Sequence, residues 1–481
     1  MKVLISRIEK YEYSDRNYAM YKYNLGSYTP GEVGRHTLVG KARMKSIRIG
    51  VGAGFAGDRI DPAVELAEFG QLDFLVFECL AERTIALSQI RKRLDPDGGY
   101  DPLLAERMRA VLPACQRNGT RVISNMGGAN PRVAARKTIE IARSLGLHGM
   151  RVACIEGDDV LDLKHAFKPF DHEPLPDPES YVSANAYLGA DAVASALGRG
   201  ADVVLTGRVA DPSLFLGALV HEFRWEPDSW DRLGQGTVIG HLLECAGQLT
   251  GGYFADPGHK DVPDLDRIGF PFAEVNEDGC ALLMKLDGSG GVINRQTCRE
   301  QILYEVMDPA RYMTPDVTAD FSGVRFEQEG PNRMRVWGGM GRPRPQDYKV
   351  SIGVDDGAIA DAQISYAGPG ALERAKLART ILEKRLARGP AADLRIDLIG
   401  LNAMYGAPAD WPPPYEVRLR ASARFDSEAD ANFLGREVES LYLNGPAGGA
   451  GVTLAVRENI AMVPALIGRE FVTANVSLEE V

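Results

Sequence analysis

The sequence predicts an α/β fold, a doubly wound, mostly parallel sheet, followed by a second, α+β domain. Five short, continuously apolar runs alternate with helix-length segments between Ser46 and about residue 265, the pattern of parallel strands covered on both faces. From about residue 270 the apolar residues alternate singly, as in strands with one wet face. A chain of 481 residues with 45% apolar content also exceeds what one hydrophobic core commonly holds, roughly 250–300 residues. The expected division is an appendage (1–44), a Rossmann-like domain (45–268) and an α+β domain (269–481).

Residues 1–44 carry Tyr11, Tyr13, Tyr18, Tyr21, Tyr23 and Tyr28 in rough alternation, compatible with a hairpin but not with a core helix. Ser46 opens a strand, IRIGVGAG, that runs into a glycine loop; a helix follows, with Asp61 as its cap and Pro62 at its first position. Strands DFLVFEC (73–79), TRVISN (120–125), RVACIEG (151–157) and ADVVLTG (201–207) are separated by helices over 80–94, 101–118, 131–145 and 184–198. Beyond 270 come FAEV, CALLMKL, RMRVWGG, DYKVSIGV and IADAQISYA, then a charged helix over 370–388. The strands DLRIDLIGL and YEVRLRASAR and a helix over 427–443 complete the pattern. Runs of strands with helices gathered between them mark an α+β arrangement.

Composition excludes several classes. No run approaches the roughly 20 apolar residues that span a bilayer. The N-terminal segment places charges where a signal peptide needs its apolar core, so a cytoplasmic protein is expected. The six cysteines (79, 115, 154, 245, 280, 298) have no paired C-x-x-C spacing and are expected to be buried, reduced thiols. A net charge of −11 without a basic block argues against a nucleic-acid partner and for a small-molecule one.

In an open parallel sheet, ligands bind beyond the carboxyl ends of the strands. Those ends read GAGFAGDR, Glu78-Cys79 with Glu82, SNMGGANP, EGDD and TGRVADPS. The convergence gathers Asp58, Arg59, Glu78, Asn125, Asn130, Asp158, Arg208 and Asp211, although each alone is also an ordinary turn or loop residue. Gly52, Gly54 and Gly57 formally satisfy a dinucleotide fingerprint, with Glu78 about 20 residues on. The late start of the helix, and Asp58 and Asp61 where a pyrophosphate needs positive potential, favour instead a loop that lets backbone approach a substrate closely.

Arg208 is a candidate clamp for a carboxylate or phosphate and Asp211 a candidate acid or base; the alternative is an ion pair that locks the loop. His241 and Glu244 share a helix face, but two ligands do not make a metal site, and a surface pair is expected. Cys79, flanked by glutamates, should have a raised thiol pKa and is not a candidate nucleophile. The loops Lys285–Gly291 and Asn444–Gly451 offer backbone anion nests, the second with a helix expected after Gly451; plain turns are the alternative, and neither ends in Gly-Lys-Ser/Thr. Glu78, Asp158 and Asp211 also suit a divalent metal held through water.

The strings VGAGFAGDRIDPAVELAE, DFLVFECLAERTIALSQ, SNMGGANP, NAYLGAD, VVLTGRVADPSLFL, HLLECAGQLTGGYFADPG, SYAGPGALERA and NGPAGGAG run in order from about Arg48 to about Glu458. In these strings the sequence resembles the acyclic terpene utilisation (AtuA-type) family. The resemblance implies a cytosolic protein of acyclic-terpene and branched-acid catabolism, whose intermediates are carried as coenzyme A thioesters. It adds Asn185 and Tyr187 to Glu78, Asn125, Asn130, Arg208, Asp211 and the glycine loops as motif positions. Many members of the family continue into a small ferredoxin-like domain with a string similar to ARSGDKGN, which is expected here as a separate subunit or not at all.

The expected function is a lyase, a hydratase or aldol-type C–C lyase, acting on a branched hydroxyacyl-CoA or related acid. Asp211, Glu78 and Asp158 are the candidate catalytic groups. Arg208, Arg59, Asn125, Asn130, Asn185, Tyr187, Gly52, Gly54, Gly57 and Lys285 are the candidate substrate contacts, and a homo-oligomer is expected. The alternatives are a non-catalytic acyl-CoA-binding or scaffold subunit, and a nicotinamide-dependent oxidoreductase.

Overall fold

The computed structural model describes residues 45–406 and 412–481; the N-terminal appendage and its tyrosine pattern lie outside the described residues. All five apolar runs form strands: Ser46–Ala53, Phe74–Phe77, Arg121–Ser124, Arg151–Glu156 and Val203–Thr206. They are parallel to one another and lie in the order first, second, third, fifth, fourth. Their side chains, such as Ile49, Phe74, Val122, Ile155 and Val204, are buried, which is why these runs carry no polar alternation.

The doubly wound, mostly parallel sheet is not what the whole chain forms: this is a mixed α/β protein whose sheets are largely antiparallel. The parallel strands are the centre of a ten-stranded sheet. Pro271–Asn276 pairs antiparallel with the first strand, and Ala281–Lys285, Arg333–Trp337 and Arg325–Gly330 extend that side. Asn475–Glu480 closes the other side, antiparallel to the fourth strand. The change of hydrophobic pattern near residue 270 therefore marks a change of strand direction within one sheet. Two of these pairings, across 276–281 and 330–333, are tight hairpins, where a parallel strand needs a crossover of a dozen or more residues; the others join segments distant in the chain. Gly279 (φ 83°) turns the hairpin between 276 and 281.

A second, antiparallel sheet is built on the strand Asp347–Ala367, which pairs with Glu416–Phe425 and Ala450–Gly468. The two segments DYKVSIGV and IADAQISYA are one strand, with a break in register between Asp355 and Ala358. Gly357 (φ 70°) lies in that break, with no room for a side chain against the Phe425 carbonyl. The helices Ala371–Leu386 and Glu428–Glu439 cover this sheet and share its own hydrophobic core, from Ala358 to Leu441.

Three local expectations are corrected. Residues 184–186 are not helical: Tyr181–Ala186 is a strand paired with Val350–Val354, and the helix begins at Ala190, whose amide donates to Asp316 Oδ1 at 2.8 Å. No helix follows Gly451; the β-branched alternation of VTLAV instead joins the long strand Ala450–Gly468. The first helix, Asp61–Phe69, has Ile60 at its cap, with Asp61 inside the first turn. Among the described residues no helix is long and apolar enough to cross a membrane.

Candidate functional site

The ends of the parallel strands do converge, and the second sheet supplies a wall that they face. Glu78 follows the second strand, and its amide donates to the Ala53 carbonyl at 3.0 Å, tying it to the end of the first. Asn125, after the third strand, bridges this segment. Its Nδ2 donates to Glu78 Oε1 at 2.9 Å, and its Oδ1 accepts from the Cys79 amide at 2.7 Å. The Leu80 amide also donates to Glu78 Oε1, at 2.9 Å. Burial pushes the Glu78 carboxyl up to about 8, and the charge of Asp211 adds to the shift while Arg208, Asn125 and the Leu80 amide oppose it.

Arg208, at the end of the fifth strand, is 2% exposed. Its backbone amide donates to Asp158 Oδ2 at 2.8 Å, and Asn185 Nδ2 donates to the same oxygen at 2.9 Å. Asp158 therefore knits the fourth and fifth strand ends to the strand Tyr181–Ala186. It lies against Gly207, where a Cβ would come within 2.5 Å of its carboxyl oxygens. Burial holds Asp158 up to about 6, against the pull of these two hydrogen bonds.

The Arg208 guanidinium donates from Nη2 to Asp211 Oδ1 at 2.6 Å and stacks 4.2 Å from the centre of the Tyr187 ring. Its Nε and Nη1 are buried with no hydrogen-bond partner. An ionised guanidinium with two bare nitrogens is costly unless an anion or carbonyl oxygen completes it. The Tyr187 hydroxyl donates to Glu82 Oε1 at 2.6 Å, and Lys349 Nζ donates to the same oxygen at 3.1 Å. Desolvation would raise Glu82, but Lys349, the Tyr187 hydroxyl and Arg208 outweigh it and bring the group to about 2. Burial raises Asp211, with Arg208 pulling it back down.

Of the residues singled out from the sequence, Glu78, Asn125, Asp158, Asn185, Tyr187, Arg208 and Asp211 come together. The others do not. Arg59 Nη1 turns away to the carbonyl of Asp266 at 2.7 Å, and Asn130 Nδ2 donates to the carbonyls of Pro96 and Gly98, both at 2.9 Å. Lys285 Nζ closes its own turn on the Ser289 carbonyl at 2.6 Å.

The glycine loop is filled by protein. A Cβ at Gly52 would meet the Phe77 ring, one at Gly54 the Cys245 backbone at 2.5 Å, and one at Gly57 the Phe55 ring at 2.7 Å. Asp58 accepts from the amides of Gly54 and Arg59, both at 2.9 Å, so a carboxylate already occupies the donors that a pyrophosphate would need. The loop does not fit a dinucleotide. Among the described residues no three His, Cys, Asp or Glu side chains are grouped so that they could hold a metal ion directly.

Cys79, Cys115, Cys154 and Cys298 are buried, Cys245 and Cys280 half-buried, and all are free; burial pushes the Cys79 thiol well up. The expectation of a surface position for His241 and Glu244 is corrected: both are buried, joined Nδ1 to Oε1 at 2.7 Å.

Residues 47–478 match the model of the acyclic terpene utilisation family protein AtuA. The chain belongs to the AtuA family. No curated protein and no solved structure matches it. Membership in the AtuA family connects the chain with terpene utilisation and names no reaction. Within this AtuA chain, sequence reasoning missed Lys349 and Ser351, the latter's Oγ 3.2 Å from the Tyr187 hydroxyl. Their one signal is that they sit two apart on a strand and so share a face. Glu82 was visible at the end of the second strand, but nothing local shows that Tyr187 and Lys349 would close on it.

Proposed function

We propose that this AtuA-family protein is a lyase, of the hydratase or aldol type, acting on a branched hydroxyacyl-CoA or related organic acid in terpenoid and branched-acid catabolism. The observation that carries the reading is the Arg208 guanidinium, with Nε and Nη1 buried and bare in a site where its charge acts on Glu78. In this reading Arg208 receives the substrate's carboxylate or thioester oxygen, and strengthens its hold as negative charge grows there in an enolate. Glu78 transfers the proton at the neighbouring carbon. A carboxyl poised near neutral pH is suited to give and take a proton. Asp211 orients the guanidinium, and Asp158 positions the strand ends without touching substrate.

The test is exchange of substrate α-protons in deuterium oxide, followed by NMR across a panel of branched 3-hydroxyacyl-CoA thioesters and the corresponding free acids. Exchange with at least one member is expected; no exchange and no binding across the panel rejects the proposal.

A second reading, a non-catalytic acyl-CoA-binding or scaffold subunit, is favoured by one observation. Among the described residues, the strand Ala450–Gly468 is paired on its outer edge only at Ala465 and Leu466, leaving an open edge. That edge suits a second copy of the chain or a separate small subunit. In this reading Asp211→Asn leaves pathway flux unchanged, whereas substitutions along the edge reduce it.

A further inference from the structure

The His241–Glu244 pair has no task in the mechanism above, yet the packing brings it to the same site. The helices Asp211–Phe223 and Trp230–Leu243 cross where a Cβ on Gly240 would meet the Pro212 carbonyl at 2.6 Å, so His241 and Asp211 each stand one residue from the crossing point. Gly54 packs on the Cys245 backbone, while the Ala53 carbonyl accepts from the Glu78 amide. The end of the His241 helix thus lies near the start of the Asp211 helix on one side and near the loop that follows the first strand on the other. Beyond burial, the charges of Asp211 and Glu305 raise Glu244 and that of Arg208 opposes them, in keeping with this placement.

The pair is also incomplete. His241 Nε2, Glu244 Oε2 and the neighbouring Gln301 Oε1 are buried without partners, although Gln301 Nε2 is anchored on the His241 carbonyl at 2.9 Å. The rings of Tyr312 and Phe321 enclose the imidazole at 5.2 and 5.4 Å. Burial brings His241 down to about 4 and pushes Glu244 up, both shifts favouring the uncharged forms, which together hold two hydrogens. One hydrogen is used between Nδ1 and Oε1. Whichever atom supplies it, one donor and one acceptor are left over, the complement of a hydroxyl group or a water molecule.

We propose that His241 and Glu244 form a proton-relay pair that receives the hydroxyl of a β-hydroxy acid or thioester whose carbonyl or carboxylate lies on Arg208, making the reaction a reversible dehydration. This rests on the lyase reading above and deepens it. Glu78 takes the α-proton, and the electron pair moves to the carbonyl oxygen held by Arg208. The enolate then collapses, the β carbon–oxygen bond breaks, and the departing oxygen takes the pair's proton and leaves as water. Glu78 returns its proton to solvent and the pair regains one, so charge and atoms balance.

The experiment separates the two proton transfers in the full chain. With the same 3-hydroxyacyl panel, α-proton exchange is followed in deuterium oxide and hydroxyl-oxygen exchange in ¹⁸O-water by mass spectrometry. Glu244→Gln should lower oxygen exchange by about 100-fold or more, the usual contribution of general acid–base catalysis, and keep α-proton exchange within about threefold. Glu78→Gln should lower both. His241→Asn is the second variant, with the same expected split, should Glu244→Gln fail to fold by circular dichroism. Oxygen exchange that survives in both folded variants overturns the inference alone, as does equal loss of both exchanges, the mark of a structural role. A wild-type chain that exchanges neither atom overturns the lyase reading, and this inference with it.

Discussion

Glu78 and Asp211 are carboxyls acting on one guanidinium, and burial divides their work. Asp211 is bonded to Arg208 and half-buried; Glu78 is 8% exposed and held by Asn125 through one oxygen. Glu78→Gln keeps an acceptor for Asn125 and the Leu80 amide but cannot carry a proton. Turnover should fall by about 10²–10⁴-fold with KM little changed, measured by steady-state kinetics on any substrate found by the exchange screen. Arg208→Lys should do the reverse. It removes the bare guanidinium nitrogens, each charge-assisted bond being worth about 1.5–3 kcal/mol, so KM or Kd should rise at least tenfold in a folded variant. Asn125, Arg208 and Asp211 were readable because they stand at strand ends. Arg59, Asn130 and Lys285 carry the same residue chemistry but spend it on backbone carbonyls. No sequence signal distinguishes a side chain that meets a substrate from one that meets a neighbouring loop.

At the scale of elements, glycines set how closely the site's parts approach. Gly54 admits the Cys245 backbone to the first loop, and Gly240 admits Pro212 between two helices. Gly240→Ala would force the helices Asp211–Phe223 and Trp230–Leu243 apart, because the obstructing atoms belong to the backbone. The expected cost is about 1–3 kcal/mol, read as a lower denaturation midpoint in urea, together with reduced activity as His241 moves from Asp211. The five parallel strands were legible because full burial leaves them continuously apolar. The strand Tyr181–Ala186 was not: its alanines and asparagine read as helix, and pairing with Val350–Val354 overrode that local preference. The fold of the hairpins after residue 270 was legible as strands but not as members of the first sheet, since alternation reports a strand's faces and not its neighbour.

Across the whole molecule, buried carboxyls give stability an unusual pH dependence. Folded Glu78 keeps its proton to about 8, against an ordinary value of 4.5, with Asp211 and Arg208 the charges that face it. Between those values the folded state binds more protons than the unfolded one, so the contribution is full below 4.5 and is lost as pH rises through 8. Asp158 and Asp316, raised to about 6, act in the same direction at lower pH. His241, lowered to about 4, opposes them: its contribution is present above 6.5 and is lost as pH falls toward 4. From pH 6.5 to 8, calorimetry should therefore show a falling Tm, and Glu78→Gln should flatten the fall. The sequence by itself determined the AtuA family, the parallel strands and the polar strand ends, because these are written in local burial and local motifs. Only the tertiary structure decided that the sheets are largely antiparallel, that Asp58 plugs the glycine loop, that Lys349 joins the site, and that His241 and Glu244 form a buried pair. Those depend on which distant segments pack together, and the sum of contacts over the whole chain selects that pairing.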